Sequence, residues 1–484
     1  MKSMFTPSSY RQFVLTTLAG CMLAATGGAA LAAAPGNTPA TLAQIRDSAM
    51  NSDWAYQRLS DLTDLIGPRL AGSPGAEAAV QQVAAAMRKL GAQVTLQPVT
   101  MPHWVRGAET AELVDYTGRP AGLSQRVVLS ALGGSGATPA AGLTAPVLIV
   151  HSIDELKAQG DAVKGKIVVF DVPYDQHMAE AGYAGPAYGQ AVGVRYAGPK
   201  TAAKMGAAAA LMRAVGGADF RIVHSGATVL DPAQRIPAAA VTVEDVLLME
   251  RLSKRGPLTM HLTLTPQNLP DVVSYNVIAD LPGTDKADEV VIVSGHLDSW
   301  DLGTGANDDG TGITSAMAVI ETLKALNLQP HRTIRVVAWM NEESGGYGGV
   351  AYAKANQGKL ASHFAAIEND MGSGRPFGIV AGVRPEAEQL FAPLQAALLP
   401  IGAGLLQRRD KLGTGDLSML ETGGVPSFEP LIDGRNYFSY HHTPADTLDK
   451  VDPDNLRRHV ALMSTLAWFL ANVEQPIGRA PAQL

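Results

Sequence analysis

The length and composition of the chain are those of a large globular protein. It has 484 residues, of which 46% are hydrophobic and 17% charged, so we expect two domains or one large domain with an insertion. The formal net charge is −7, and no cluster of lysine and arginine with interleaved aromatic residues occurs, which argues against a nucleic-acid partner.

The first 33 residues are typical of a secretory signal peptide. Lys2 and Arg11 precede the apolar run FVLTTLAGCMLAATGGAALA, and Ala30 and Ala32 form an A-x-A cleavage pattern. We therefore expect an exported protein, either periplasmic or secreted. The length of the run also allows a permanent transmembrane anchor, but its glycines favour cleavage. A lipoprotein is a further alternative, because LAGC places Cys21 in a lipobox-like sequence.

Two helices and a strand are predicted before residue 101. LAQIRDSAMNSDWAYQRLSDLTDLI and AEAAVQQVAAAMRKL have apolar residues at helical spacing, and AQVTLQPV follows as a strand. Residues 101–268 are rich in alanine and glycine. They contain the strand candidates APVLIVHS, GKIVVFDVP and PAAAVTVED and one predicted helix, PKTAAKMGAAAALMRA. We predict that 101–268 is a smaller domain inserted into a larger one formed by 34–100 and 269–484.

Strands and helices alternate regularly after residue 270. The predicted strands are VVSYNVIADL, EVVIVSG, RTIRVVAWMN and FAAIEND. The predicted helices are GTGITSAMAVIETLKALNL, GGVAYAKANQ, EAEQLFAPLQAALLP and PDNLRRHVALMSTLAWFLANVEQ. This alternation is typical of an α/β fold with a mostly parallel sheet that is covered by helices on both faces.

Three of these strands run into acidic or histidine side chains. The side chains are His296 and Asp308 for the first strand, Glu342 and Glu343 for the second, and Glu368 and Asp370 for the third. In open α/β sheets, ligands bind beyond the carboxyl ends of the strands. Histidine and carboxylate ligands without thiolates suit zinc, with cobalt or manganese as substitutes.

The remaining histidines fall into two groups. His441 and His442, with Asp446, lie in the proline-containing segment SYHHTPADT and could complete a metal site. Eight others have no acids clustered at the end of an adjoining strand. We interpret these as surface or capping residues: His103, His151, His177, His224, His261, His331, His363 and His459.

Charge balance favours two metal ions over one. Two dications ~3.5–4 Å apart repel each other and need anionic ligands, ideally with a carboxylate between them. Asp308, Glu343 and Asp370 supply three negative charges, while His296 and His442 are neutral ligands. A bridging hydroxide would cancel the fourth positive charge.

Four motifs, GHLDSWDLGTGANDDGTG, NEES, END and HHTPADT, occur in this order. Together they resemble the M28 family of co-catalytic zinc exopeptidases, and within it the plasma glutamate carboxypeptidase branch. The resemblance covers about residues 45–100 and 270–475, and the segment 101–268 is similar to the protease-associated domain often inserted there. It implies an α/β metallopeptidase that binds two Zn²⁺ ions and hydrolyses short peptides.

The resemblance also implies a role for individual residues. Asp308 would bridge the ions, with His296 and Asp370 completing one site, Glu343 and His442 the other, and Glu342 acting as general base. His442 is preferred to His441 because it directly precedes the threonine of an H-[ST]-x-x-D-T pattern.

The acidic residues around the first motif have supporting roles in this reading. Asp298 corresponds to the family's acid that orients the imidazole of the ligand at His296. The peptide between Asp308 and Asp309 corresponds to a cis peptide of the family, which makes Asp309 part of the support of the site. Asp301 has no ligand role, and we predict that it forms a turn.

The direction of substrate binding stays open at this point. An aminopeptidase or dipeptidase needs an acidic partner for a free amine, for which Asp416 is a candidate. A carboxypeptidase needs a basic partner, for which the candidates are Arg408, Arg409 and Arg435. A catalytically inactive binding protein and a single-zinc acyltransferase or cyclase are further alternatives, but neither would need all five ligands. A homodimer is compatible with the sequence, and no transmembrane partner is expected.

Overall fold

The structure is a computed structural model that describes residues 36–217, 220–413 and 415–479. The signal segment predicted at 1–33 lies outside these residues. All of the described residues belong to one compact unit. In the described part of the chain, no helix combines the length and the apolar character that crossing a membrane requires.

The strands and helices are numbered in chain order. The strands are β1 (Gln93–Val105), β2 (Glu109–Tyr116), β3 (Gln125–Val127), β4 (Leu129–Ala131), β5 (Leu143–Val150), β6 (Ile167–Phe170), β7 (Ala209–Arg213), β8 (Ala238–Val241), β9 (Leu258–Leu264), β10 (Gln267–Leu281), β11 (Lys286–His296), β12 (Arg332–Trp339), β13 (His363–Glu368), β14 (Pro376–Gly382), β15 (Leu405–Arg409) and β16 (Ser427–Ile432). The helices are α1 (Pro39–Met50), α2 (Trp54–Ser60), α3 (Pro74–Lys89), α4 (Ile153–Ala158), α5 (Gln176–Met178), α6 (Ala184–Lys204), α7 (Val243–Ser253), α8 (Thr311–Ala325), α9 (Tyr347–Ala355), α10 (Ala392–Leu398), α11 (Ser418–Thr422), α12 (Tyr437–Tyr440) and α13 (Pro453–Asn472).

The first sheet has the strand order β1-β10-β12-β11-β13-β16-β14-β15. Its centre, from β12 through β11 and β13 to β16, is parallel, whereas β1, β10 and β14 add antiparallel pairings towards the edges. Helices α1, α3, α8 and α13 pack on one face, and α9 and α11 pack on the other. The predicted α/β fold with helices on both faces is confirmed.

The central strands are apolar throughout because both of their faces are covered. Val290 to Val293 are all buried, as expected for a parallel strand between two helical layers. Helix α8 is buried along nearly its whole length, because it lies between the sheet and α13. These buried elements hold the carboxyl edge of the sheet in a fixed position.

The second sheet is built from residues between 109 and 264 and has the strand order β3-β2-β9-β5-β6-β7-β8-β4. The predicted helix PKTAAKMGAAAALMRA (199–214) is wrong in its second half. The chain turns at Gly206, which has a φ of +84°, and Ala209–Arg213 forms the strand β7 between β6 and β8. Burial between two neighbouring strands outweighs the helix propensity of alanine here.

Residues of the first motif are part of the core of the second sheet. Trp300 packs with Trp104 in the hydrophobic cluster of that sheet, and a Cβ at Gly133 would lie 2.3 Å from its ring. The turn-forming role predicted for Asp301 is wrong. Its carboxylate instead accepts two hydrogen bonds of 2.8 Å from Arg106, because the guanidinium fork matches the two oxygens.

Candidate metal centre

The three predicted strand ends lie side by side. Strand β11 pairs in parallel with β12 on one side and with β13 on the other. His296 ends β11, opposite Trp339 at the end of β12, and Glu368 ends β13. Because adjacent parallel strands end at the same edge, the side chains that follow them converge.

The five side chains predicted as ligands meet around the carboxylate of Asp308. His296 Nε2 lies 3.1 Å from Asp308 Oδ1 and 3.3 Å from Asp370 Oδ1. His442 Nε2 lies 3.3 Å from Asp308 Oδ2 and 2.9 Å from Glu343 Oε2. The two oxygens of Asp308 therefore face the two predicted histidine ligands separately, Oδ1 facing His296 and Oδ2 facing His442, as a bridging ligand requires.

The donor set fits zinc. Ligand atoms lie about 2.0–2.2 Å from a zinc ion, so two ligands of one ion are separated by about 3 to 3.5 Å, which is close to the separations found here. Asp308 Oδ2 and Glu343 Oε1 are buried and have no hydrogen-bond partner among the described residues. Buried carboxylate oxygens of this kind need a cation.

The electrostatics of the site also call for cations. Burial and the nearby Asp308 raise the pKa of Glu343 to about 7. Burial opposes the charged form of His442, but Glu343 and Asp308 outweigh it and raise the pKa to about 9. The protein groups alone therefore do not fully neutralise the negative charge of the buried carboxylates. Bound dications would neutralise the remainder.

The two glutamates diverge because the chain leaves the sheet before them. Strand β12 ends at Trp339, and Asn341 has a φ of +73°, so the chain turns away from the strand direction just before Glu342. Glu343 points to His442, whereas Glu342 lines the neighbouring cleft. Burial and Asp370 raise the pKa of Glu342 well above its usual value.

Asp298 supports the site through two different groups. Its backbone carbonyl lies 2.9 Å from His296 Nδ1, whereas its carboxylate is 3.8 Å from that atom. The carboxylate instead accepts hydrogen bonds from the backbone N–H groups of Asn341 and Glu342, at 2.7 and 3.1 Å. The Asp298 side chain therefore holds the turn that carries the glutamates.

The peptide between Asp308 and Asp309 is cis. Asp309 accepts hydrogen bonds from the backbone N–H groups of His296 and Gly312, so its oxygens already have partners. Asp446 accepts from the backbone N–H groups of Asn307, at 2.7 Å, and Asp308, at 3.0 Å. These acids fix the backbone on both sides of the bridging carboxylate.

Sequence reasoning missed Arg69, which holds the loop between His296 and Asp308. Its buried guanidinium donates to the carbonyls of Leu297, Thr304 and Gly305 at 2.6 to 2.8 Å. The residue lies in the turn-rich segment GPRLAGSPG, and nothing local in that segment indicates its distant partners.

The interpretation of His224 as a surface or capping residue is wrong. It is 1% exposed, and its Nε2 lies 2.9 Å from His441 Nδ1. His363 and His459 are also buried, where they contact the Tyr352 hydroxyl and the Gly374 carbonyl. No sequence signal links His224 to His441, because the two are 217 residues apart.

A cleft of about 590 Å³ opens beside the ligands. Asp416 lines it, and neither of its buried carboxylate oxygens has a partner among the described residues. Arg195, from the segment of the second sheet, lines it too and was not predicted. The candidates Arg408 and Arg435 instead pair with Asp410 and Asp433 outside the cleft.

Arg409 lines an adjoining cavity of about 510 Å³, 3.7 Å from Glu429. Asp370 and Gly415 belong to the walls of both cavities. A Cβ at Gly415 would lie 2.5 Å from Glu342 Oε1, so a larger residue there would displace the Glu342 carboxylate. The two cavities therefore adjoin at Asp370 and Gly415, next to Glu342.

Comparison with known proteins identifies the family of the chain. Residues 276–467 match the model of peptidase family M28. Carboxypeptidase Q of Bos taurus is 34% identical over 88% of this chain and 87% of its own length. The structure of a peptidase M28 precursor from Shewanella amazonensis superposes with a TM-score of 0.86 at 36% identity, covering 92% of this chain and 99% of that one.

A zinc aminopeptidase from Bacillus subtilis shares the fold at 21% identity, with a TM-score of 0.63 and coverage of 88% of this chain and 98% of that one. The family match covers all five convergent side chains, and the similarity to the bovine relative extends over most of both chains. The chain therefore belongs to peptidase family M28 and is a metallopeptidase.

Proposed function

We propose that this metallopeptidase is a di-zinc exopeptidase that hydrolyses short peptides with Glu342 as general base. The observation that carries the proposal is the position of Asp308, whose two oxygens face His296 and His442 separately. Asp370 then completes one ligand group and Glu343 the other. A binding protein without activity would not need this complete set.

The protein groups divide the work of hydrolysis. When bound, zinc supplies Lewis acidity, which polarises a carbonyl and lowers the pKa of water. Glu342 lines the cleft beside the ligands without belonging to either group, and its carboxylate takes the proton of the attacking water. It then delivers that proton to the nitrogen of the departing amine.

The cleft favours aminopeptidase or dipeptidase polarity. The buried Asp416 carboxylate has two unpartnered oxygens, and burial together with Glu368 and Glu342 raises its pKa well above the usual value. The α-ammonium of a peptide would satisfy these oxygens and restore their charge. Asp416 is therefore the proposed partner of the free amine.

Carboxypeptidase polarity is the second candidate, and Arg195 favours it. Its guanidinium lines the same cleft and donates to the Ser225 carbonyl and the Tyr196 hydroxyl, both neutral groups. These two partners carry no negative charge, whereas the carboxylate of a substrate would form an ion pair with the positively charged guanidinium of Arg195.

One experiment separates the two polarities and tests the mechanism. The purified protein is assayed on a free dipeptide, its N-acetyl form and its C-terminal amide, with and without a chelator. Cleavage of the amide but not of the acetylated peptide establishes aminopeptidase polarity, and the reverse establishes carboxypeptidase polarity. Chelator-insensitive cleavage, or full activity of Glu342→Ala, would refute the proposed mechanism.

The domain division and the location are proposals as well. The second sheet supports a protease-associated-like domain at 101–268, inserted between the parts 34–100 and 269–484 of the catalytic domain. The composition of 1–33 supports export. Amino-terminal sequencing of the protein recovered from culture medium and periplasm would locate the cleavage site and distinguish these from a lipid-anchored form.

A further inference from the structure

Two consecutive histidines face the same oxygen of Asp308. The Nε2 atoms of His441 and His442 lie 3.4 and 3.3 Å from Asp308 Oδ2, and the two rings are stacked with their centroids 3.5 Å apart. Their distance from Asp308 therefore does not distinguish them. Their other neighbours do, because His442 Nε2 also lies 2.9 Å from Glu343.

His441 is held from behind by a second imidazole. His224 Nε2 lies 2.9 Å from His441 Nδ1, and both rings are buried. His224 belongs to the segment that forms the second sheet, so this contact joins the two parts of the chain. Tyr188, Tyr437 and Phe438 surround the His441 ring with aromatic faces and edges, which fix its orientation.

The contact between the two imidazoles determines which nitrogen of His441 carries hydrogen. His224 Nδ1 is buried and has no hydrogen-bond partner among the described residues. If His224 carried its hydrogen there, a buried N–H group would have no acceptor, which is rare and costly. The hydrogen therefore lies on His224 Nε2, and His441 Nδ1 accepts it.

The Nε2 of His441 then carries an N–H group rather than a free lone pair. At 3.4 Å it is beyond the usual length of a hydrogen bond to Asp308, and Asp308 Oδ2 has no hydrogen-bond partner in the described chain. His441 also lines the cleft. This N–H group is thus directed at the reaction site and available to a substrate oxygen.

We propose that His441 is not a metal ligand but a hydrogen-bond donor to the oxygen of the scissile carbonyl, and that His224 fixes it in the donor tautomer. The proposal rests on the proposed hydrolysis at the site. A donor placed where negative charge develops stabilises the transition state more than the bound substrate. His441 is then a catalytic residue, and His224 is a positioning residue.

The first test compares zinc content with kinetics in ring-replacement variants. We expect His441→Phe to bind as many zinc ions per chain as the wild type by mass spectrometry of the metal. Its kcat on a free dipeptide should fall by about 10²- to 10³-fold with little change in KM. His442→Phe is the matched control and should bind one zinc ion fewer.

Conservative variants separate the donor role from packing. His441→Gln keeps a side-chain N–H group near the position of Nε2 and should recover part of the lost kcat. His224→Gln keeps a donor to His441 and should stay within a few-fold of the wild type, whereas His224→Phe should lose kcat. Equal losses in the glutamine and phenylalanine variants of both positions would indicate packing alone and overturn the proposal.

A measurement independent of activity identifies the tautomer. In zinc-loaded protein with ¹⁵N-labelled histidine, the signals that disappear in His441→Phe should show a hydrogen on Nε2 and none on Nδ1. A hydrogen on Nδ1, or the loss of a zinc ion in His441→Phe, would show that His441 is a ligand instead. If wild-type protein cleaves no dipeptide, the proposed function fails, while the tautomer and the zinc count still decide whether His441 is a donor or a ligand.

Discussion

Replacement of Arg69 by methionine tests whether one buried guanidinium holds the loop that leads to Asp308. Methionine has a similar length and fills much of the same space, so the change removes hydrogen bonds with little loss of volume. Arg69 is 0% exposed, and its four guanidinium hydrogen bonds all go to backbone carbonyls. Three of those carbonyls belong to residues 297–305.

The expected loss in the free energy of unfolding is about 3–5 kcal/mol. Each hydrogen bond from a charged donor contributes about 1.5–3 kcal/mol, so the three bonds to the loop would together contribute about 5–9 kcal/mol. Removing the guanidinium also removes the cost of its burial, which offsets several kcal/mol of that sum. The remainder is a large fraction of the stability of a typical protein.

Urea unfolding followed by circular dichroism measures this loss, and zinc content measures its effect on the site. Arg88→Met is the matched control, since Arg88 is exposed near the end of α3, and it should change stability by less than about 0.5 kcal/mol. If Arg69→Met stays within about 1 kcal/mol of this control and retains all its zinc, the carbonyl contacts do not hold the loop.

Three other predictions follow from individual contacts. Asp446→Asn places an amide N–H group against the backbone N–H of Asn307 or Asp308. Because two donors then face each other, zinc affinity measured by calorimetry should fall at least about tenfold, and an unchanged affinity would contradict this prediction. Arg106→Met and Asp301→Asn should show a coupling of about 1–3 kcal/mol in a double-mutant cycle of urea unfolding, whereas additive effects would mean that the pair contributes nothing. Burial lowers the pKa of His459 to about 4, so below pH 6.5 the unfolded chain binds a proton that the folded chain does not. Wild-type stability should therefore fall by about 1.5 kcal/mol more than that of His459→Gln between pH 6.5 and pH 5, and parallel pH profiles would refute it.

The sequence predicts the parts of the site that depend on local pattern. Apolar strands followed by acids indicate where His296, Glu343 and Asp370 lie, because the edge of a parallel sheet brings strand ends together whatever the loops do. The helix α8 and the strands around it follow from hydrophobic periodicity in the same way.

The contacts that escaped prediction depend on the packing of distant segments. His224 and Arg69 reach partners more than 200 residues away, and no local spacing encodes such pairs. The strand β7 was predicted as a helix because alanine favours helices locally, whereas the position between β6 and β8 requires small side chains in a strand. The prediction that Asp301 forms a turn was wrong because its partner, Arg106, lies outside the motif and the motif alone does not indicate it.

Trp300 limits how the inserted segment 101–268 can be separated from the catalytic part of the chain. Its ring fills the space above Gly133 in the core of the second sheet and lies edge-on to His442, with the ring centroids 5.8 Å apart. A separately expressed segment 101–268 would lack this ring and have a hole in its core, and a catalytic part without the segment would expose an indole beside its metal ligands. A chimaera that takes the inserted segment from a relative should therefore fold only when it also takes that relative's residue at position 300. Trp300 thus requires the two sheets to change together in evolution.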